Sequence, residues 1–142
     1  MPTLILIFAL AVDLAGLQMQ KLRLRYAVDL ATVTAATMVD APYYSRTGRL
    51  QLEPVSAAAI AREYLARNLD GMPGIDAPAT IAASSDITVI NRTPAIDPYT
   101  GGRLDRPAIC ARIRAPYRFT LLGWVGLSQI DLTIAADAEI RS

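Results

Sequence analysis

The first forty residues follow a helical pattern that is too long and too apolar for a chain of 142 residues to bury. Between residues 3 and 41 there is no proline, and Gly16 is the only glycine. The pattern therefore predicts one helix of about 58 Å, roughly twice the width of a small domain. Residues 4–12 carry no polar side chain. Every face of that part needs an apolar partner, which we expect to come from outside the subunit.

The second half of this helix has two faces. An apolar stripe, predicted to pack on a domain of the same chain, consists of Leu17, Leu24, Val28, Ala31 and Ala35. A polar stripe carries Lys21, Arg25, Asp29 and Thr32, in which Arg25 and Asp29 have the i,i+4 spacing of an ion pair. We expect the helix to end near Asp40, because Pro42 disfavours helical dihedral angles at the residue before it.

These features predict two units. The first is the N-terminal helix, 1–41, of which 1–20 projects for assembly and 21–41 packs on the domain. The second is a globular α+β domain, 42–142, whose length is within the usual range for one domain.

The apolar N-terminus differs from both common targeting signals. A secretory signal peptide has a basic first region, but no Lys or Arg precedes Lys21. A transmembrane helix needs about 20 apolar residues, and Asp13 interrupts this one. The missing basic flank suggests that Met1 is the first residue of a processed chain. A membrane anchor remains the alternative to subunit packing in a filament.

The middle of the chain predicts one helix, a strand and three connecting segments. Their predicted bounds are 43–53 for a connector that turns near Thr47 and Gly48, 55–69 for a helix opened by Pro54, 72–78 for a loop, 81–91 for a first strand region that is clearest at 86–91, and 92–107 for an exposed loop with a turn at 97–101.

Two later runs alternate between apolar and polar residues. The apolar set of the first is Ile109, Ala111, Ile113, Ala115, Tyr117 and Phe119, and that of the second is Ile130, Leu132, Ile134, Ala136, Ala138 and Ile140. They predict an antiparallel hairpin that pairs Phe119 with Ile130, or one shifted by two residues that places Arg114 opposite Asp137.

The predicted fold class is α+β and pilin-like. It comprises a long N-terminal helix, a second helix and a small antiparallel sheet of three or four strands. The two helices are expected to cover the apolar face of the sheet.

Composition excludes several kinds of chemistry. The chain has no histidine and one cysteine, Cys110, so an intrachain disulfide and an imidazole or thiolate-rich metal site are not expected. The formal net charge is +1, which gives no strong field for nucleic acid. The sequence also lacks a phosphate-binding glycine loop and a nucleophile elbow. We expect no enzyme activity, catalytic residue, metal or cofactor.

Both ends of the chain carry a family resemblance. Residues 11–17 (AVDLAGL), the basic stretch 22–25 and the alanine-rich 27–31 resemble the N-terminal segment of TadE/TadG-like proteins of tight-adherence (Tad) pilus systems. That family has an apolar segment, a Val-Asp-Leu-Gly type motif, a basic stretch and an alanine-rich helix. The C-terminal run resembles the family too, through Pro116, Phe119, Gly123, Ala135, Ala136 and Ala138. The chain departs from wider type IV pilins at Ile5, where a glutamate is common, and shows no prepilin-peptidase site before it.

The resemblance implies a structural subunit of an extracellular, type IV pilus-like (Tad-type) filament on the cell surface. Its partners would be further copies of itself, the inner membrane before assembly, and the pilus assembly machinery. The alternative is a membrane-anchored minor pilin, or an assembly or adhesion module of a pilus or secretion machine.

The residues expected to form the filament core are apolar: Leu4, Ile5, Leu6, Ile7, Phe8, Leu10, Val12, Leu14 and Leu17. Asp13 is either an acid at the rim of an interface or, with Lys21 and Arg25, an inter-subunit charge. If it is buried without a cation, its pKa should be raised. Asn91 begins an N-glycosylation acceptor pattern. The loop 120–128 contains Trp124, which looks exposed from the sequence. A tryptophan in such a loop is more often a packed residue than an adhesive tip.

Overall fold

A computed structural model describes residues 2–141, so Met1, the residue expected to begin a processed chain, lies outside the described residues, as does Ser142. The fold is α+β, as predicted: a long N-terminal helix and further helices pack on a small antiparallel sheet. The long helix, α1, spans Pro2–Ala35.

The predicted end of α1 near Asp40 is wrong, because the helix stops at Ala35. Asp40 instead begins a new helix, α2 (Ala41–Thr47), by accepting a hydrogen bond from the Tyr43 amide at 2.8 Å. An aspartate followed by a proline in the first turn is a helix-start signal. Pro42 therefore opens a helix here, and the predicted connector 43–53 contains most of α2.

The helix predicted at 55–69 is present, and another short helix besides α2 was missed. Helix α3 spans Pro54–Leu69, capped by the Glu53 carboxylate, and buries Ala57, Ala61, Leu65 and Leu69. Helix α4 spans Pro78–Ala83. It contains Ile81, which was wrongly assigned to the first strand region. Pro78 is the same first-turn signal as Pro42 and Pro54.

Within residues 2–141, five strands form two sheets. Strands β1 (Asp86–Ile90), β4 (Ala108–Arg118) and β5 (Gln129–Glu139) form an antiparallel sheet in the order β1-β4-β5. Strands β2 (Ala95–Ile96) and β3 (Arg103–Leu104) form a small hairpin within the predicted loop. Its turn lies where it was predicted: the Asp97 carboxylate accepts from the Tyr99 amide at 2.7 Å, and Gly101 has a φ of 75°.

Neither predicted register of the β4–β5 hairpin is correct. Tyr117 pairs with Ile130 and Ala115 with Leu132. This register is shifted by two residues from the first predicted one, and the second predicted register is shifted in the opposite direction. The apolar faces still coincide, since a shift of two keeps each side chain on its face. The charges that were expected to pair across the hairpin have other partners: Arg112 bonds Asp86 of β1 at 2.7 Å, and Arg118 lies 3.1 Å from Asp76.

The main core lies between the apolar face of the sheet and the two longest helices, as predicted. Leu24 and Val28 of α1 and Leu65 of α3 pack there against Ile113 and Ile134 of the sheet. The opposite face of the sheet is covered at one end. There Cys110 is fully buried beside Leu104 of β3 and Ala108.

Candidate assembly surface on the N-terminal helix

The first ten described residues after Pro2 extend beyond the domain. From residue 3 to residue 12 no side chain is buried, and Phe8 is 67% exposed. From residue 3 onwards, the first buried residue of α1 is Asp13, which is 1% exposed. Contact with the domain therefore begins at residue 13, eight residues before the predicted first packed residue, 21. At 1.5 Å per residue the projecting segment, 3–12, is about 15 Å long.

Most residues predicted to form a filament core lie on this exposed part. The side chains of Leu4, Ile5, Leu6, Ile7, Phe8, Leu10, Val12 and Leu14 are all exposed. Leu17 differs, because it is partly buried and packs against the core of its own domain. By length and composition, one helix of the described residues (Thr3–Ala35) could cross a membrane.

The outer face of α1 carries an apolar stripe that we did not predict from the sequence. Its exposed members follow one another at intervals of three or four residues: Met19, Leu22, Tyr26, Leu30 and Val33. This spacing keeps them on one face of a helix. The largest, Tyr26, is 71% exposed. The same three- and four-residue spacing, read from Val12 through Ala15 to Met19, would have revealed the stripe in the sequence.

This outer stripe, Met19 to Val33, lies opposite the face that α1 buries. The buried face is formed by Gln20, Leu24, Ala27, Val28, Ala31, Thr32 and Ala35. Thr32 was predicted to be on the polar face, but it is fully buried and its hydroxyl donates to the Val28 carbonyl at 3.1 Å and the Asp29 carbonyl at 2.9 Å. Backbone acceptors one turn away allow this polar side chain to be buried.

A groove runs beside the outer stripe, between α1 and the end of α3. It has a volume of about 510 Å³ and is lined by Leu22, Arg23, Tyr26, Ala27, Asn68 and Met72. The groove widens the apolar surface around Leu22 and Tyr26 and offers space for a side chain of a second helix.

The charges on α1 flank the outer stripe. Lys21 is exposed, and Arg25 forms the predicted pair with Asp29, at 3.7 Å. Both members of that pair are largely exposed to solvent. Such a pair stabilises a helix by only a few tenths of a kcal/mol, about 0.2–0.5. The expectation that Lys21 and Arg25 contact a neighbouring subunit remains a prediction.

Asp13 is bonded within its own chain. Its carboxylate accepts from the amides of Thr120 at 2.9 Å, Leu121 at 3.0 Å and Leu122 at 2.6 Å. These amides lead into a short 3-10 helix, Leu122–Val125, between β4 and β5. We call this arrangement the Asp13 clamp. The partners of the buried carboxylate are thus backbone amides of its own chain, whereas the sequence had suggested a cation of another subunit.

The pKa of Asp13 is lowered, whereas an unpaired buried carboxyl was expected to have a raised one. Burial acts to raise the pKa, but the three amide donors of Leu122, Thr120 and Leu121 stabilise the charged form and outweigh it. The clamp could not be predicted from local sequence, because its two sides are more than a hundred residues apart.

Gly16 allows the sheet to approach α1 next to the clamp. The Tyr117 hydroxyl donates to the Asp13 carbonyl at 3.2 Å. A Cβ at position 16 would be 2.5 Å from that hydroxyl oxygen. The Asp and the Gly of residues 11–17 therefore have separate structural roles: one holds the loop after β4, and the other leaves room for Tyr117.

Asn91 also has a structural role that its sequence pattern did not indicate. Its side-chain oxygen accepts from the Leu52 amide at 2.8 Å, and its Nδ2 donates to the Leu52 carbonyl at 2.9 Å. Nδ2 is the atom that a glycan would occupy. Glycosylation of Asn91 remains a prediction, and it would compete with the bond to Leu52.

Comparison with family models, with curated proteins and with solved structures found no match to this chain. Within residues 2–141 no group of three or more His, Cys, Asp or Glu side chains is placed to hold a metal ion. The most extensive feature of the described chain that calls for a partner is the apolar surface of α1.

Proposed function

We propose that this chain is a structural subunit of an extracellular, Tad-type (type IV pilus-like) filament, and that α1 joins the subunits at the filament centre. The observation that carries the proposal is the unpartnered apolar surface of α1, which extends from the projecting segment into the outer stripe. The resemblance of residues 11–31 to TadE/TadG-like proteins supports the same reading.

The two apolar parts of α1 are suited to each other. The projecting segment is apolar on every side, so it can contact several helices at once. The outer stripe is apolar on one side only, because its helix already packs on the domain. A second copy displaced along the filament by about 27 Å, the rise between Phe8 and Tyr26, would place its projecting segment against the outer stripe of the first.

The free energy available is sufficient for polymerisation. Fully burying a Leu, Ile or Phe side chain contributes about 1.5–3 kcal/mol. The apolar side chains of residues 4–12 therefore offer on the order of 10 kcal/mol, before the costs of association are subtracted.

Electron microscopy of the full chain after removal of detergent tests this function. The wild type should form fibres, and Ile7→Asp should not, since it places a charge in the apolar contact. Val55→Asp is the matched control, because Val55 is 77% exposed and belongs to α3, outside the projecting segment and the outer stripe. Fibres from Ile7→Asp equal to those of the wild type would contradict the proposal.

A membrane-anchored minor pilin, or an anchored assembly or adhesion module, is the second candidate. The length and composition of α1 favour it, since they also meet the requirements of a membrane span. In that case the wild-type chain would be present as separate subunits in detergent or lipid. It would form no fibres when the detergent is removed.

A further inference from the structure

The loop between β4 and β5 presents three apolar side chains to solvent. Trp124, Val125 and Leu127 are 88%, 61% and 55% exposed. Trp124 is thus exposed, as it looked from the sequence, and it is not the packed residue that was the more common alternative. No charged residue occurs from residue 119 to residue 130, although Arg118 and Asp131 stand directly outside this range. The loop therefore has an apolar tip between charged ends.

The Asp13 clamp holds this tip at the base of the projecting segment. The Leu122 amide lies 2.6 Å from the Asp13 carboxylate. Trp124 follows two residues later, so its Cα lies within about 8 Å of the Leu122 Cα. Asp13 is the residue at which α1 leaves the domain. The exposed tip and the start of the projecting segment are therefore neighbours at one end of the molecule.

The composition of this end suits insertion into a membrane. Residues 4–12 carry no polar side chain, and the large ones among them are exposed. With this segment among the acyl chains, its base at Asp13 lies where the acyl chains meet the headgroups. Tryptophan is enriched at that boundary, because its ring is apolar and its N–H is polar.

We propose that residues 121–127 form a membrane-interface anchor, which contacts the boundary between acyl chains and headgroups while segment 3–12 is inserted in the same leaflet. The proposal rests on the membrane-held stage of the proposed function and adds a second lipid contact to it. The anchor orients the domain, because two separate contacts with one surface restrict its tilt. The uncharged tip favours this apolar–polar boundary over a surface recognised by charge.

Trp124 is the only tryptophan of the chain, so intrinsic fluorescence reports on this loop alone. The full chain is placed in vesicles of phosphatidylcholine and phosphatidylglycerol. We expect emission at a shorter wavelength than that of a water-exposed tryptophan. Phosphatidylcholine brominated near the headgroup should quench this emission more strongly than the same lipid brominated near the chain ends. Emission at the wavelength of a water-exposed tryptophan, without quenching, would overturn the proposal.

Variants of the loop and a control sharpen the test. Leu127→Ser should reduce quenching by the shallow brominated lipid, and Val55→Ser, which is outside the loop, should leave it unchanged. If Leu127→Ser and Val55→Ser behave alike, the loop is not the lipid contact. If the emission shifts only when fibres form and stays unquenched in vesicles, the loop contacts a second subunit instead, and the proposal is wrong.

Failure of the anchor can be distinguished from failure of the filament. Electron microscopy of the same chain without detergent or vesicles reports fibre formation independently of the emission in vesicles. Fibres together with a water-exposed Trp124 in vesicles would refute the anchor and leave the proposed function intact. Quenching by lipid without fibres would support the anchor and count against the filament.

Discussion

A single carboxylate, Asp13, connects the first helix to the loop at the far end of the sequence. It accepts hydrogen bonds from three consecutive amides, and its own backbone carbonyl accepts from Tyr117. A helix that held the domain through apolar contacts alone could slide or rotate, whereas hydrogen bonds require defined geometry. The clamp thus determines where the projecting segment begins.

The clamp predicts how stability depends on pH. The ordinary pKa of an aspartate is 3.8, and that of Asp13 in the folded chain is lower. Its contribution is therefore fully present above pH 3.8 and is lost as the pH falls through the lowered value. We expect the free energy of unfolding of the detergent-solubilised wild type to exceed that of Asp13→Asn at neutral pH, and the difference to close below pH 3.8. A difference independent of pH would show that the Asp13 charge does not stabilise the fold.

Asn91 allows a second prediction for a single residue. Asn91→Ala removes both side-chain bonds to Leu52 and leaves the Leu52 amide and carbonyl without these partners. Unfolding by urea should show a loss of about 1–3 kcal/mol, the cost of unpaired buried polar groups. Asn68→Ala is the control, because Asn68 makes one longer bond, 3.3 Å, to the Ala27 carbonyl. An equal or larger loss in the control would contradict the role given to Asn91.

At the scale of elements, α1 combines two functions in one continuous helix. Its inner face forms part of the core with Leu24 and Val28, while its outer stripe stays exposed. The small residues Ala27, Ala31 and Ala35 lie on the inner face and are buried. They allow the sheet and α3 to approach closely, so the helix fits its domain without using its large apolar side chains. Those remain available outside.

The outer stripe predicts an assembly defect without a folding defect. Tyr26→Ser and Leu22→Ser each remove an exposed apolar side chain. The unassembled variant chain should therefore keep the circular dichroism spectrum and the melting temperature of the wild type. If each side chain contributes about 1.5–3 kcal/mol in the filament, the critical concentration for assembly should rise about ten- to a hundredfold. Val55→Ser should leave it unchanged. Normal assembly of both stripe variants would restrict the contact to the projecting segment.

At the scale of the whole molecule, the domain is complete without the projecting segment. From residue 3 onwards, every buried residue of α1 is at Asp13 or later. Deleting residues 2–12 therefore leaves the clamp and the core in place. We expect a folded chain that needs no detergent and remains monomeric in light scattering. Polymerisation of this shortened chain would contradict the proposed role of the segment.

The deletion of residues 2–20 is an informative comparison. It also removes Asp13 and Gln20, whose Nε2 donates to the Pro73 carbonyl at 3.0 Å. The longer deletion should remain folded but melt at a lower temperature than the shorter one. Equal melting temperatures would show that contacts before residue 21 contribute little to the stability of the domain.

The sequence was sufficient for properties that depend on periodicity along one segment. The spacing of the apolar stripe from Leu17 to Ala35 in α1 and the alternation in β4 and β5 predicted apolar faces that the fold buries, because burial of a face requires only regular local geometry. The α+β class followed from these segments. First-turn prolines at Pro42 and Pro78 also marked α2 and α4, although we did not recognise those signals.

Tertiary structure decided what depends on residues distant in the chain. The β4–β5 register differs from both predicted ones, since equally apolar alternatives differ by two residues and the arginines found partners outside the hairpin. The bonds of Asp13 and of Asn91 join segments 107 and 39 residues apart. A buried polar group takes whichever partner folding brings within hydrogen-bond distance, and no local pattern specifies that partner.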